Sequence, residues 1–190
     1  MNSFVKNQLL NHGFTHDDLM RLQESAKQVE LPARAVLFQQ GSSVNEVYFL
    51  LEGICHAAYL TPKGKTFSKE FYWENDWIIG FESLISAEPS PFRLETVTPC
   101  TLISLPMAQL RAWRVSHQAF YLFLVETQLT YKEQKERYML LNTPQERYAL
   151  FCQNYPHLVE RLSDYHIAAY LGITPISLSR IKKRPRLNDC

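Results

Sequence analysis

The chain has 190 residues, with 20 lysines and arginines against 19 aspartates and glutamates, so its net charge is +1. This balance excludes a polyelectrolyte that binds nucleic acid or an anionic membrane over its whole surface. Because 46% of the residues are hydrophobic and only 6 are glycines, the composition also excludes a disordered chain. The longest apolar run, residues 119–125, is far shorter than the roughly 20 residues that cross a bilayer. The first residues lack a secretory pattern, so we expect a cytoplasmic protein without a membrane partner.

The cysteines are widely spaced and form no C-x-x-C pair. Zinc and iron–sulfur sites usually draw on closely spaced cysteines, so the spacing predicts no metal site. It is typical of isolated thiols in a reducing compartment. The four positions are Cys55, Cys100, Cys152 and Cys190.

The chain begins with a helical pattern and then changes to short strands. Residues 1–30 are predicted to be helical, because Thr15 precedes an acidic first turn and apolar residues such as Leu19 and Leu22 follow at helical spacing. The next segments are short apolar or alternating runs separated by turn residues, which predicts an antiparallel barrel, roll or sandwich. The predicted strands span residues 35–38, 47–51, 54–59, 66–72, 77–79, 94–98 and 101–105.

A long helix is predicted after Pro106. Residues 117–141 contain no glycine or proline, and apolar residues recur along one side. Such a helix needs a surface to cover it, which favours a homodimer through a second copy of itself; the alternative cover is the chain's own β region. Thr143, Pro144 and Glu146 then form the start signal of another helix. The stripe comprises Leu122, Val125, Leu129, Lys132, Glu136 and Met139, with Phe120, Phe123, Leu124 and Tyr131 beside it.

Residues 163–184 meet the requirements of two short helices joined by a tight turn. Ala168 is small where a second helix would cross closely, and Gly172 suits a turn that needs a positive φ. Thr174 is a good N-cap for the second helix, and Pro175 fits its first turn because the missing N–H has no intrahelical partner there. The pattern predicts a helix-turn-helix.

The second of these helices has an apolar side and a polar side. Leu178 and Ile181 recur at the spacing of a buried face, which leaves Ser177, Arg180 and Lys183 outside. The guanidinium of Arg180 suits guanine in the major groove, whereas serine and lysine suit phosphates. The alternative is an ordinary αα-hairpin, which needs no exposed cations. The predicted DNA contacts are Thr174, Ser177, Ser179, Arg180, Lys182, Lys183 and Arg184.

These features, in this order, resemble the CRP/FNR family of bacterial transcription regulators over nearly the whole chain. The resemblance is carried by Gly41 and residues 47–53 in the β region, the long helix, and residues 167–182. It implies an α+β fold with an antiparallel, jelly-roll-like β-roll of the cyclic-nucleotide-binding type, a dimerisation helix and an all-α helix-turn-helix domain. The implied domains are residues 1–116, 117–141 and 142–190.

The resemblance also implies the partners. In this family a homodimer places its two recognition helices in successive major grooves, about 34 Å apart, on double-stranded DNA with a palindromic site. It also admits RNA polymerase as a further partner.

One departure from the family concerns the effector pocket. Members that bind cyclic AMP present a Gly-Glu pair to the ribose and an Arg-Ser or Arg-Thr pair to the phosphate. The corresponding stretch here offers Gly80 and Glu82, but the arginine is expected near Ser90 and Arg93 lies a few residues beyond it. A buried phosphate needs a fixed cation and backbone donors. We therefore predict that the chain does not bind cyclic AMP and has no cofactor; an unknown small-molecule effector at Gly80, Glu82 and Arg93, or none, is expected.

A second departure concerns the C-terminus. In the family a β-hairpin wing follows the recognition helix, but residues 185–190 are too few to form a hairpin. Losing its phosphate contacts weakens binding and flattens the dependence on salt. Residues 173–190 nevertheless carry five basic residues against one acidic residue, which suggests contact with a polyanion at this end; a solvated, frayed tail is the alternative.

The sequence also bears on two other classes of function, an enzyme and a ligand-sensing or protein-interaction module. A metal-dependent cupin enzyme needs two or three histidines and a carboxylate inside its barrel, and the β region holds only His56. No local pattern supports a Ser-His-Asp or Cys-His arrangement either, so we predict that the chain is not an enzyme. The remaining alternative is a ligand-sensing or protein-interaction module with a weakened DNA-binding domain.

Overall fold

Two helices precede the sheets in the computed structural model, which describes residues 3–183. They are α1 (Ser3–Asn11) and α2 (His16–Ser25). Thr15 caps α2 through a reciprocal pair with Asp18, which satisfies N–H groups that the helix leaves without partners. The helical prediction for residues 1–30 is wrong at its end, because residues 27–31 form a strand that pairs antiparallel with residues 100–104. Long-range pairing here overrides the local pattern.

The strands of the described part form two four-stranded sheets. Every adjacent pair is antiparallel, so the predicted antiparallel architecture is confirmed. One sheet has the order β1-β8-β3-β6 and the other β2-β7-β4-β5, which is the strand order of a jelly roll. The strands are β1 (Lys27–Leu31), β2 (Val36–Phe38), β3 (Glu46–Glu52), β4 (Cys55–Leu60), β5 (Thr66–Tyr72), β6 (Trp77–Ile78), β7 (Arg93–Thr96) and β8 (Cys100–Pro106).

Apolar side chains fill the space between the two sheets. Tyr48, Leu50, Leu94 and Leu102 belong to this cluster and are almost fully buried. Burial of this apolar area is the main stabilising contribution to the roll.

Two of the cysteines meet at one end of the roll. Cys55 and Cys100 are both buried, and their Sγ atoms lie 3.8 Å apart. The expectation of isolated thiols is therefore wrong for this pair, which the sheets bring together across 45 residues of chain. Gly53, with φ +103°, precedes them in a turn where a Cβ would lie 2.4 Å from the carbonyl oxygen of Pro99, so only glycine fits.

The long helix is covered on one side only. It is α5 (Gln118–Leu141), and it follows α3 (Phe81–Ser86) and α4 (Met107–Ser116). Phe120 and Leu124 are buried in a cluster with α1, α2, α4 and the first sheet. Leu122 and Leu129, on the predicted stripe, remain 43% and 57% exposed. The chain's own β region therefore covers one stripe of α5 and leaves the other open.

Four short helices complete the described chain. Thr143 and Glu146 form the predicted capping box, and Pro144 stands at the first position, so the predicted start of this region is confirmed. None of the helices in residues 3–183 has the length and hydropathy that a membrane span requires. The four are α6 (Pro144–Asn154), α7 (Pro156–Arg161), α8 (Asp164–Tyr170) and α9 (Pro175–Lys182).

Candidate nucleic-acid interface

The turn between α8 and α9 depends on a glycine. Gly172 has φ +70°, and a Cβ at this position would lie 3.0 Å from Cε of Met139 near the end of α5. The neighbouring carbonyl of Leu171 accepts a hydrogen bond of 2.7 Å from Nη1 of Arg147 on α6. The turn is therefore fixed against both preceding helices, and it needs a residue that tolerates positive φ.

Side-chain caps start both helices. The Oγ1 atom of Thr174 accepts from the backbone N–H of Ser177 at 3.1 Å, and Pro175 occupies the first turn of α9. Ser163 caps α8 in the same way through the N–H of His166. A cap of this kind typically contributes about 1 kcal/mol, so the start of α9 is encoded locally.

The inner face of the helix pair is apolar and closed. Ile167, Ala168 and Leu171 are 0% exposed, and Leu178 on α9 is equally buried. Ile181 lies one turn further and is 7% exposed. The residues that the spacing assigns to the inner face are therefore the buried ones, and α9 is fixed with one defined face outward.

The outer face of α9 carries most of the predicted DNA contacts. Arg180 and Lys183 are exposed, as are Thr174 and Ser179, whereas Ser177 is half-buried beside the cap. Within residues 3–183 neither Arg180 nor Lys183 forms an ion pair, so both charges face solvent. This face is able to donate several hydrogen bonds to anionic or base-edge acceptors.

Lys182 has a different position. Its Nζ donates to Oδ1 of Asp164 on α8 and lies 5.9 Å from the ring centroid of Tyr148. This ion pair links α9 to α8, and the Lys182 ammonium is paired with a carboxylate of the protein itself. Arg184 and the predicted absence of a wing after it lie outside the described residues.

An ion pair attaches the C-terminal helices to the roll. Arg161, at the end of α7, donates to both carboxylate oxygens of Glu74, at 2.9 and 2.6 Å. The Arg161 guanidinium holds the pKa of Glu74 down to about 2, and the N–H of Gly53 also donates to this carboxylate at 2.9 Å. Bidentate pairing fixes the orientation of both groups.

An aromatic contact covers the outer face of the second sheet. The Phe71 ring on β5 stacks on His56 at 4.6 Å and meets the rings of His166 and Tyr170 on α8 at 6.0 and 5.7 Å. His56 is 2% exposed and shares a hydrogen bond of 3.0 Å with Ser68, and its burial lowers its pKa to about 3. The region that carries α9 is thus packed on the roll.

Sequence analysis missed this docking, although one signal was available. Phe71, Tyr72 and Trp73 are consecutive aromatic residues at the end of a predicted strand. Consecutive apolar residues in a strand indicate that both faces of the sheet are covered. Phe71 packs against the helices, while Tyr72 packs inside the roll.

The predicted effector residues are not gathered in the roll interior. Gly80 is the N-cap of α3, and Glu82 is exposed on that helix. Arg93 pairs with Glu95 on the outer face of β7, because Leu94 between them points inward. The charge of Arg93 is therefore directed away from the interior.

The position near which the phosphate-binding arginine is expected holds a buried serine. Ser90 is 1% exposed, and its hydroxyl donates to the carbonyl of Phe92 at 2.7 Å. The Phe92 ring lies in the roll core. A cation that sequence analysis did not name lies beside this ring: Nζ of Lys69 on β5 is 4.8 Å from the Phe92 ring centroid, and burial lowers the pKa of Lys69 to about 8. The described residues contain no group of three histidine, cysteine or acidic side chains that could hold a metal ion.

Comparison with known families identifies the roll. Residues 28–117 match the family model described as the cyclic nucleotide-binding domain. This match begins within β1 and ends just after α4, so it covers the two sheets that the structure describes. No curated protein sequence matches the chain.

Solved structures share the fold over most of the chain. FixK2 from Bradyrhizobium japonicum has a TM-score of 0.72 and 17% identity, with 82% of each chain covered. The global regulator CLP of Xanthomonas campestris, described as responsive to c-di-GMP, has a TM-score of 0.68 and 16% identity, with 90% of this chain and 91% of that chain covered. A transcriptional regulator of the CRP family from Thermus thermophilus has a TM-score of 0.65 and 16% identity, over 80% of this chain and 81% of that chain. The described chain therefore has the CRP-like fold with a cyclic-nucleotide-binding type of roll.

Proposed function

We propose that the protein is a transcription regulator of the CRP/FNR type that binds operator DNA as a homodimer. In this proposal α8 and α9 are the helix-turn-helix, and the outer face of α9 enters the major groove. Arg180 reads a base edge, and Lys183 with the exposed hydroxyls of Thr174 and Ser179 contacts phosphates. Contact with RNA polymerase belongs to the same proposal.

The observation that carries the proposal is the position of Arg180. It lies on the second helix of a capped pair, on the side opposite Leu178, and no acidic group within the described residues neutralises it. An ordinary structural hairpin gains nothing from an exposed, unpaired guanidinium at this place. Arginine in this setting suits bidentate contact with guanine, and the fold shared with known regulators supports the same interpretation.

The uncovered stripe of α5 supports the proposed homodimer. Leu122 and Leu129 are seven residues apart and exposed, and Val125 between them is half-buried. An apolar stripe at this spacing suits pairing with a second α5. Two copies related by a twofold axis would carry two α9 helices, which suits a palindromic site.

The roll in this proposal does not bind cyclic AMP. Arg93 faces outward and is paired with Glu95, and Ser90 bonds to the backbone of Phe92. The predicted effector residues therefore do not converge to bind a cyclic phosphate; they are Gly80, Glu82 and Arg93. Calorimetry with cyclic AMP and with cyclic GMP is expected to give no binding heat.

The experiment that tests the function is selection of genomic fragments by the purified full chain. The expected result is enrichment of a palindromic sequence whose half-sites lie about one helical turn, roughly 34 Å, apart. Failure of any sequence to be enriched over random DNA at low salt would overturn the proposal.

One observation favours a second candidate function. Lys182 is committed to Asp164, so Arg180 and Lys183 are the cations that face solvent from the described part of α9. Fewer phosphate contacts mean weaker DNA binding. A ligand-sensing or protein-interaction module with a weakened DNA-binding domain would bind all sequences equally in the same selection.

A further inference from the structure

A cavity of about 440 Å³ lies where the roll, α5 and the C-terminal helices meet. Its walls come from the end of β5 and the segment before β6, from the middle of α5, and from α6 and α8. Small-molecule sites in proteins commonly occupy roughly 300–1,000 Å³ and lie where domains meet. No residue of α9 lines the cavity, and Gly80, Glu82 and Arg93 are not among its lining residues, although Ile79 and Phe81 are.

Aromatic rings form much of the wall. The rings of Trp73 and Tyr155 meet edge to face, with centroids 5.6 Å apart and planes inclined at 64°, and Trp77 and Tyr131 also line the cavity. Aromatic faces carry partial negative charge and attract cations, most strongly when water is excluded. The rings also offer an apolar surface to the body of a ligand.

The charges of the wall are unequal. Glu70 and Asp76 are acidic, and Lys135 is the basic side chain among the lining residues. The Lys135 ammonium is already engaged, since it lies 3.8 Å from Glu70, 4.1 Å from the ring centroid of Tyr170, and donates to the carbonyl of Lys69. One carboxylate is therefore left without a cation.

That carboxylate is Asp76. Its Oδ2 atom accepts from the backbone N–H of Trp73 at 2.9 Å, and no ion pair to it occurs within residues 3–183. Burial raises the pKa of Asp76 to about 7, and the negative charges of Glu70 and Glu74 add to the effect. A cation bound beside it would replace the solvation that the carboxylate loses on burial.

We propose that this cavity binds a small organic cation, whose ammonium group lies against Asp76 and whose apolar body packs between Trp73, Trp77 and Tyr155. An anionic ligand is disfavoured, because Lys135 is paired with Glu70 and the other charged residue of the wall is the carboxylate of Asp76. A neutral ligand would gain the apolar contacts but leave Asp76 unpaired. The ammonium therefore supplies the selectivity of the site.

The ligand would also bridge the parts of the molecule. Trp73 follows the end of β5, Tyr131 lies on α5, and Tyr155 follows α6. Because a ligand that binds the folded state stabilises it by mass action, occupancy should strengthen the packing of the C-terminal helices on the roll. Binding at this site does not require the proposed DNA-binding function, and it is measured without DNA.

The test uses three aromatic probes that differ in charge. Phenethylamine, 2-phenylethanol and phenylacetate are titrated into the full chain at pH 8, where Asp76 is ionised. Tryptophan fluorescence reports binding, because Trp73 and Trp77 line the cavity whereas Trp113 does not. We expect phenethylamine to bind at least about tenfold more tightly than either other probe and to raise the melting temperature.

Three variants locate the binding. Asp76→Asn keeps the shape and the acceptor for the Trp73 N–H, and should abolish the preference for phenethylamine. Gln128→Lys places a cation on the α5 wall of the cavity and should abolish phenethylamine binding even if the first variant folds poorly. Glu126→Gln removes a carboxylate from an exposed position of α5 outside the cavity and should leave binding unchanged.

Three results would contradict the proposed cation site. Equal affinity for the three probes, or a preference that survives Asp76→Asn, would overturn the proposal. Absence of phenethylamine binding would also overturn the proposal. This outcome is expected if a second copy of the chain fills the cavity.

Discussion

Arg180 and Lys183 are one turn apart on the same exposed face of α9, yet their chemistry differs. A guanidinium presents a planar fork that matches two acceptors on guanine, whereas an ammonium is a point charge that suits phosphate. Arg180→Ala should therefore weaken binding to the selected site more than binding to random DNA, by about 1–3 kcal/mol. Titration of both DNAs by fluorescence anisotropy measures the difference.

Lys183→Ala serves as the matched comparison. It should weaken binding to both DNAs to the same degree and reduce the salt slope by about 1. Arg114→Ala, on the exposed side of α4, should change neither. An equal loss on both DNAs for Arg180→Ala would make Arg180 a phosphate contact instead of a base reader.

Asp76 gives a second prediction at the scale of a single residue. Burial raises its pKa from 3.8 to about 7 in the folded protein, so between these values the folded chain keeps a proton that the unfolded chain has lost. The free energy of unfolding should therefore fall as the pH rises from about 4 to 7. Asp76→Asn removes this contribution, and its stability gain over the wild type should grow through that window to roughly 2–4 kcal/mol near pH 7.

Urea unfolding at a series of pH values measures the effect. A point near pH 3 is the internal control, because it lies below both the unfolded-state pKa of 3.8 and the folded-state pKa of about 7, so that Asp76 is largely protonated in both states and the two proteins should differ little. A stability difference that stays constant from pH 4 to pH 8 would contradict the assignment of the titration to Asp76.

At the scale of an element, α5 has two apolar stripes, of which one is buried and the other is exposed. Phe120 and Leu124 pack under the roll, while Leu122 and Leu129 face outward. Leu129→Glu places a charge in the centre of the outward stripe and should raise the dimer dissociation constant at least about tenfold. Sedimentation equilibrium at micromolar concentration measures it, and far-ultraviolet circular dichroism checks that the helix persists.

Thr130→Glu adds the same charge at the adjacent exposed position, off the stripe. It should leave the dissociation constant nearly unchanged. A wild-type chain that sediments as a monomer would defeat the dimer proposal, and equal effects of both variants would show that the stripe is not the contact.

At the scale of the whole molecule, the C-terminal helices and the roll are joined by Arg161 and Glu74. A double-mutant cycle with Arg161→Ala and Glu74→Gln should give a coupling free energy of about 0.5–1 kcal/mol. The value is modest because the two side chains are 33% and 32% exposed and water screens their attraction. Urea unfolding of the four proteins measures it.

The coupling should also depend on pH. The folded-state pKa of Glu74 is lowered to about 2 from 4.5, so its contribution is present above about pH 4.5 and is lost as the pH falls toward 2. Arg137→Ala, on the exposed side of α5, should show no coupling with Glu74→Gln. Strict additivity of the Arg161 and Glu74 changes would contradict a stabilising role for this contact.

Several local features were predictable because their causes lie within a few residues. Thr143 and Glu146 cap each other, and Gly172 supplies a positive φ between two short helices. The alternating strands were recognisable for the same reason, since a side chain on every second residue must face the core. Strand β1 was not, because Lys27–Leu31 becomes a strand through its pairing with β8, about seventy residues away.

The same distinction applies to the candidate site, because some of its features follow from the local sequence and others from tertiary contacts. The spacing of Leu178 and Ile181 determined which side of α9 is buried, and therefore that Arg180 and Lys183 are outside. The sequence by itself could not assign Lys182 to Asp164, turn Arg93 away from the roll interior, or bring Glu74 to Arg161.

Sequence alone thus determined where the capped helices begin and which faces of α9 are apolar, because backbone sterics, capping and side-chain periodicity act over one or two turns. Tertiary structure alone decided which charges are free, which are paired, and that Asp76 lies in an aromatic cavity. Those outcomes depend on the packing of segments far apart in the chain, and no local pattern carries that information.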